Sequence, residues 1–398
     1  MADQKAPVLT EAIKSYDGIF KGMYDSNLRQ QFLRVRELLS QGKLNEGKTL
    51  LDEALAEAEC HPSDKSTLDL VNSELERYIK YHITNTSDIV SELNWGKLKT
   101  RKLERLVEKH WDLPQSIFFL TFNIGPTKYR LTGRKLLSDL WIQNKIPEIH
   151  CSFITAGMIL GVFSDLRISE ASVNVFHHPL TNGEKLRIMK EITDQRIDNV
   201  ELIYPFSLLR ESSRKELCSP TDGWVVDDAF DVMLGCGEEK IRAYTIKFLK
   251  TLNSKNLVLF DPACSTGVFL STLKNAFPDS FTIGQDLSKQ MVGFSKTRVD
   301  EVHWGNAMKP KISPGSADVV FVRFLNSEVV TSAEAEQLLT ALLPTVKTGN
   351  YMVIFGHTPV LLSSAHLSMI DNFIVKQCIG TADDKSGIFQ YYVLQRVL

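Results

Sequence analysis

Asp261-Pro262-Ala263-Cys264-Ser265-Thr266-Gly267 and, 25 residues after the first acid, Asp286 are the positions of this chain best spaced to act together. Leu257-Val258-Leu259-Phe260 is a short apolar run of the kind that forms a strand buried on both faces, and it delivers Asp261 to a turn of small side chains. Helical spacing resumes from Val268 to Phe277, and Pro278-Asp279 stops it. A second strand-like run, Phe281 to Gln285, ends in Asp286. Strand, tight turn, helix, strand and acid make one nucleotide-binding half of a doubly wound sheet, where an acid at the second strand end accepts hydrogen bonds from ribose hydroxyls.

Other groups that could do chemistry are less well placed. Six cysteines (Cys60, Cys151, Cys218, Cys236, Cys264, Cys378) are scattered without a CxxC pair, which reads as reduced thiols in a cytoplasmic protein rather than a disulfide framework or a zinc site. His177-His178-Pro179 puts two imidazoles on opposite faces of a strand, a poor arrangement for one metal ion, so no metal is expected. Lys97, Lys99, Arg101, Lys102 and Arg105 form the one cationic cluster, and acids at Glu104 and Glu108 make it read as a solvated face. The net charge of −2 provides no global basic field for nucleic acid or an anionic membrane. The start of the chain is polar, unlike a signal peptide, and no apolar run approaches the roughly 20 residues of a membrane helix.

A chain of 398 residues with 43% hydrophobic and 24% charged residues predicts a globular protein of two or three domains. Residues 1–112 are expected to be helical. Ile13 to Met23, Leu28 to Leu39, Leu44 to Ala58, Ser66 to Ile83 and Lys97 to His110 have helical spacing, a region suited to packing on a partner domain or to a homodimer contact. Residues 113–222 predict a middle α/β segment of undefined fold: strands at Ser116 to Phe122, Ser172 to Phe176 and Asn199 to Tyr204, helices at Lys135 to Gln143 and Gly183 to Gln195. Residues 223–398 carry a helical lead-in from Asp228 to Leu252 and then the opening motif. After it come a helix at Leu287 to Lys296, the run Val302 to Ala307, strands at Ala317 to Arg323 and Tyr351 to His357, a helix at Ala333 to Leu343, and a closing hairpin, Phe373 to Cys378 and Phe389 to Leu398. The fold class is therefore α/β: a C-terminal Rossmann-like doubly wound sheet, mostly parallel with an antiparallel terminal hairpin, behind a helical region and a middle α/β segment.

This order of elements, with its acids and terminal hairpin, resembles the class I S-adenosylmethionine-dependent methyltransferases from about Asp228 to Leu398. The family's first turn usually holds three glycines; here Ala263 and Ser265 stand where two of them sit, and Gly267 is kept. Gln285-Asp286-Leu287-Ser288 matches the common acid-leucine-serine run, Asn306-Ala307 matches the pair that flanks adenine, and Arg323 lies where cofactor and acceptor meet. The resemblance thus implies S-adenosyl-L-methionine as cofactor, held by Asp261, Ala263, Ser265, Gly267, Asp286, Leu287, Asn306, Ala307 and Arg323. A nicotinamide dehydrogenase's G-x-G-x-x-G and a P-loop's Gly-Lys-Ser/Thr are absent. DPACSTG also resembles the first motif of DNA adenine methyltransferases, but Arg323-Phe324-Leu325-Asn326 stands where those enzymes carry Asp/Asn-Pro-Pro-Tyr/Phe.

Methyl transfer from a sulfonium needs a positioned nucleophile, exclusion of water and a base for any proton the nucleophile carries. His357, directly after a strand end, is the candidate base; Arg323 either holds a substrate carboxylate or pairs with an acid such as Glu328. The expected function is methyl transfer to O, N or S of a small molecule, in the manner of secondary metabolism. Two alternatives are a protein or nucleic-acid methyltransferase and a non-catalytic module that keeps the fold.

Overall fold

The computed structural model describes residues 43–57, 85–108, 117–135, 153–169, 172–207, 238–326, 329–356 and 359–398, together with residues 30, 31, 34, 35, 38, 83, 223, 226 and 231. Two sheets organise them. The first has six antiparallel strands, β1 (Glu104–Glu108), β2 (Ile117–Ile124), β3 (Thr127–Arg134), β4 (Ile159–Ser169), β5 (Ser172–Pro179) and β6 (Asp198–Ile203), in the order β1-β5-β4-β3-β2-β6. β2 is buried over its first six residues because both of its faces are covered. Phe118, Leu120 and Phe122 join α1 (Leu44–Glu57) and α3 (Asn182–Thr193) in one core, while Ile117 and Phe119 meet Val173 and Val175 on the other face. Gly125, at φ 57°, makes the two-residue turn between paired Ile124 and Thr127.

The second sheet has seven strands, β7 (Val258–Asp261), β8 (Phe281–Asp286), β9 (Glu301–Trp304), β10 (Ala317–Val322), β11 (Val346–Phe355), β12 (Phe373–Thr381) and β13 (Ile388–Arg396), in the order β12-β13-β11-β10-β7-β8-β9. Strands β7 to β11 are parallel, and β13 runs antiparallel to both β11 and β12. Alternate residues enter different cores: Val320 and Val322 face α7 (Ser332–Leu342), whereas Val319 and Phe321 face α4 (Glu239–Thr251) and α5 (Val268–Ala276). α6 (Lys289–Ser295) follows β8, and α8 (Ser364–Leu367) precedes β12. The chain winds from β7 outward to β9, then returns to β10 on the opposite side of β7. This reversal opens the ligand crevice of such sheets between the ends of β7 and β10.

The sheets are joined at the terminal hairpin. Ile379 and Ile388 belong to the second sheet but are buried in the first sheet's core, and Ile154 and Ile388 exchange backbone hydrogen bonds of 2.8 and 3.0 Å. Gln390 ties the same joint, donating to the Leu202 carbonyl of β6 at 3.4 Å and to the Tyr392 hydroxyl at 2.8 Å while accepting from the Val360 amide at 2.8 Å. The Ser364 hydroxyl donates to Glu201 of β6.

Most expectations for the second half are met, including the hairpin; of the lead-in helix, Glu239–Thr251 is present and nearly all of 228–237 lies outside the described residues. The Lys347 to Asn350 turn is a bulge inside β11, where pairing with β10 jumps from Val346 to Tyr351. The first half differs more. The helix expected over Lys97 to His110 is instead α2 (Trp95–Leu98), capped by Asn94, followed by β1. Arg105, Leu106 and Val107 satisfy either period, and pairing with Phe176, Val175 and Asn174 on β5 decides for strand. The middle segment, of undefined fold from sequence, is an antiparallel sheet carrying the expected helix as α3, and it holds two further strands, β3 and β4. The expected helix Ile13 to Met23, and nearly all of Lys135 to Gln143 and of Ser66 to Ile83, lie outside the described residues; Leu44 to Ala58 appears as α1. Among the described residues no helix is long and apolar enough to cross a membrane.

Ile388→Ala would remove a fully buried side chain from the joint. It is expected to cost about 2–5 kcal/mol. Urea unfolding followed by circular dichroism and by tryptophan fluorescence should show one coincident transition at lower denaturant.

Candidate functional site

The crevice between β7 and β10 is closed at its base by an ion-pair cluster. Arg323, the residue after β10, donates from Nε to Asp261 Oδ2 at 2.8 Å and from Nη1 to Glu238 Oε1 at 3.1 Å. Its guanidinium lies 4.7 Å from the centre of the Phe269 ring. Asp261 is fully buried, and burial pushes its carboxyl up from the ordinary range while the adjacent guanidinium pulls it back. Arg323 stays charged because two acids face it. Asp261 Oδ1 accepts from the Ala263 amide at 3.0 Å, so one carboxylate orients both the cation and the start of the turn. The acids that hold Arg323 are thus Asp261 and Glu238; Glu328 lies outside the described residues.

The turn meets the second acid directly. The Ser265 amide donates to Asp286 Oδ2 at 2.8 Å, and the Ser288 amide to Oδ1 at 2.9 Å. Ser265 adopts φ 54°, the left-handed conformation that favours glycine, and Gly267 adopts φ 83° as the residue before α5. Cys264 is buried beneath the turn, where burial raises its thiol well above the usual range and leaves it an inert packing group. Its Sγ occupies space that β8 leaves open: a Cβ at Gly284 would come within 2.7 Å of it.

On the far side of Asp286, Gln285 shapes the loop after β9. It donates to the Asn306 carbonyl at 2.9 Å and accepts from the Lys311 amide at 2.8 Å. Asn306 is exposed and accepts from the Met308 amide at 2.8 Å, which turns the loop and buries Ala307. Trp304 donates to the Leu287 carbonyl at 2.9 Å while remaining largely exposed, and Lys289 sits 4.2 Å from its ring centre.

The structure therefore gathers Asp261, Ala263, Ser265, Gly267, Asp286, Leu287, Asn306, Ala307 and Arg323 along one carboxyl edge, linked by these contacts. His357 lies outside the described residues. His303 pairs with Glu301 at 2.7 Å on the same strand, and His177 and His178 fall on opposite faces of β5, opposite Phe163 and Val162. Four rim residues went unanticipated: Gly223 abuts Ser288, the Val226 amide donates to Gln290 at 2.9 Å, Asp231 takes a two-pronged pair from Arg298 at 2.7 and 2.6 Å, and Glu238 holds Arg323. No local pattern marks these residues, because each acts through a partner 60 or more positions away. Trp304 had a signal, an aromatic at a parallel strand end beside Asn306.

These residues fit S-adenosylmethionine. The Ser265 Oγ is buried with no hydrogen-bond partner, beside an acid whose two oxygens each accept a single backbone amide and so retain lone pairs for ribose hydroxyls. A side chain at Gly267 would be strained by its positive φ and would crowd Ser295.

No family model matches the chain. It is 35% identical over 299 residues to isonocardicin synthase of Nocardia uniformis subsp. tsuyamanensis, a match covering 74% of this chain and 96% of that protein. Among solved structures, a SAM-dependent methyltransferase from Aquifex aeolicus aligns at 14% identity and TM-score 0.33 over 43% of this chain and 99% of its own. Magnesium protoporphyrin IX methyltransferase from Synechocystis PCC 6803 aligns at 16% identity and TM-score 0.33, over 44% and 86%.

Removing the cation tests the ion-pair cluster. Arg323→Ala leaves Asp261 and Glu238 facing each other without it, and is expected to destabilise the fold by about 3–5 kcal/mol in urea denaturation. Asp286 has a pH signature of its own. Burial pushes its carboxyl up to about 6, above the unfolded value of about 3.9. Between those values the native state holds a proton that the unfolded chain releases, so this group's contribution to stability is full below about pH 4 and is lost as pH rises through 6. Asp286 as the acceptor for ribose hydroxyls requires the ionised form, so on that assignment cofactor affinity moves the other way. Calorimetry is expected to show binding about tenfold weaker at pH 5 than at pH 7, and Asp286→Asn should weaken binding and flatten that dependence.

Proposed function

Because the chain belongs to the family of isonocardicin synthase, an enzyme family of the S-adenosylmethionine-dependent methyltransferase class, we propose that it alkylates a small-molecule acceptor, the group moved being read as methyl. One observation carries the acceptor class. The 35% identity spans 74% of the chain, so it takes in much of the antiparallel sheet as well as the cofactor half. The acceptor-recognising parts are then held in common with an enzyme named for making isonocardicin, which favours a metabolite over a protein or nucleic acid.

S-adenosylmethionine, when bound, supplies an electrophilic carbon on a sulfonium. In this reading Asp286 and Ser265 hold its sugar and tail, while Leu287, Asn306 and Ala307 frame the adenine. Asp261 keeps the turn open, and Arg323 positions Asp261. A hydroxyl or ammonium acceptor needs a base at the edge beyond β11, and His357 is the residue we assign to that role. Segment 359–364, tied to β6 through Gln390 and Ser364, brings the antiparallel sheet to the same edge as the acceptor's second wall. The scattered cysteines and the cofactor favour a cytoplasmic setting.

Incubating the protein with methyl-labelled S-adenosylmethionine and a metabolite extract tests the proposal. Label in acid-soluble product together with S-adenosylhomocysteine is the expected result. Label confined to acid-precipitable macromolecule refutes the small-molecule acceptor. Release of methylthioadenosine instead would mean that a different sulfonium substituent moves.

A further inference from the structure

The antiparallel sheet carries an open surface groove of about 290 Å³, apart from the cofactor edge, lined by the exposed side chains of Lys99, Lys128 and Arg130 together with Val162 and Phe163. It exists because two neighbouring strands part. β3 pairs with β4 only from Leu131 to Gly133, against Val162, Gly161 and Ile159. Beyond that point Thr127–Arg130 stays with β2, whereas β4 continues from Phe163 against β5. A wedge opens between them, and β2 separates it from β6, the strand that abuts the terminal hairpin.

Three cations line this wedge, and among the described residues no carboxylate neutralises any of them. Lys43, Lys48, Arg101, Arg134, Arg187, Lys240, Arg298, Arg323 and Lys347 all have acidic partners within 3.5 Å. Among the described residues Lys99, Lys128 and Arg130 have none. Instead, aromatic faces hold two of them. Arg130 lies 5.4 Å from the ring centres of both Phe119 and Phe163, and Lys99 lies 5.4 Å from that of Tyr129. Ring contacts orient a cation without cancelling its charge. Lys99 comes from the cationic run after α2, and Lys128 and Arg130 come from β3, so tertiary folding collects charges from two distant segments in one concave place. Arg101 of the same run is spoken for, forked onto Glu184 at 2.7 Å for both nitrogens. Like charges gathered in one groove repel one another and raise a positive potential over it.

We propose that this wedge is a second ligand site, taking a small molecule that bears a phosphate or carboxylate group. Arg130, preset by its two rings, supplies a planar fork for such an anion, and Lys99 and Lys128 close on it as mobile point charges. Phe163 provides an apolar wall for the body of the ligand.

Calorimetry on the full chain at low ionic strength, with pyrophosphate and separately with citrate, tests this. Saturable 1:1 binding of either is expected, with pyrophosphate preference assigning a phosphate-bearing ligand and citrate preference a carboxylate-bearing one. Lys99→Gln with Lys128→Gln removes charge while leaving the Arg130 ring packing intact. It should weaken that binding about tenfold or more, while melting of the ligand-free protein and S-adenosylmethionine affinity stay at wild-type values. No saturable heat from either anion, or equal affinity in the double variant, overturns the proposal. A parallel loss of S-adenosylmethionine affinity overturns its separateness from the cofactor edge.

Discussion

One guanidinium sets the geometry of the cofactor edge. Arg323 joins the end of β10 to the end of β7 through Asp261 and to the segment before α4 through Glu238. Burying three charges together costs several kcal/mol of desolvation per ion, and the arrangement persists because every member keeps a partner. Asp261 spends its second oxygen on the Ala263 amide, which begins the turn. The crevice at the strand reversal, the direction of the turn and the docking of α4 therefore share one electrostatic origin.

The turn itself shows how a glycine-poor version of the motif is tolerated. Ser265 takes a left-handed conformation at a cost of about 1–2 kcal/mol. Its amide is then aimed at Asp286, and its hydroxyl is left buried and unpartnered beside that acid. Room for the turn comes from the neighbouring strand, since Gly284 leaves the space that Cys264 fills. Close backbone approach is preserved by moving one of the small residues from the turn to β8.

The antiparallel sheet is bound to this edge by both apolar and polar contacts. Ile379 and Ile388 place part of the terminal hairpin in the first sheet's core. Gln390 and Tyr392 form a buried polar link across the same joint, where leaving any member unpaired would be costly. The hairpin that blocks the end of the parallel sheet is thus also the surface on which the first half of the chain is built.

The cofactor half was largely legible in the sequence because its signals are local. A doubly covered strand reads as a continuous apolar run, and a turn between strand and helix needs small residues and an acid at fixed spacing; Leu257 to Asp286 has all of these. The sequence also located Asp286 and Asn306-Ala307 at successive strand ends. Tertiary structure decided what depends on distant partners. Arg105 to Glu108 became strand because β5 offered an edge, and β3 and β4 mix charged and polar residues into their length, so no apolar run spans either. The partners of Arg323, 62 and 85 residues away, and the meeting of Lys99 with Lys128 and Arg130 have no trace in local spacing. By itself the sequence determined the strand, small-residue turn, helix and second acid that read as a site for a nucleotide-bearing cofactor, since close backbone approach is a property of a few consecutive residues. Only the folded chain decided how charge is distributed around it, because Coulomb interactions follow distance in space, and the distances are set by packing.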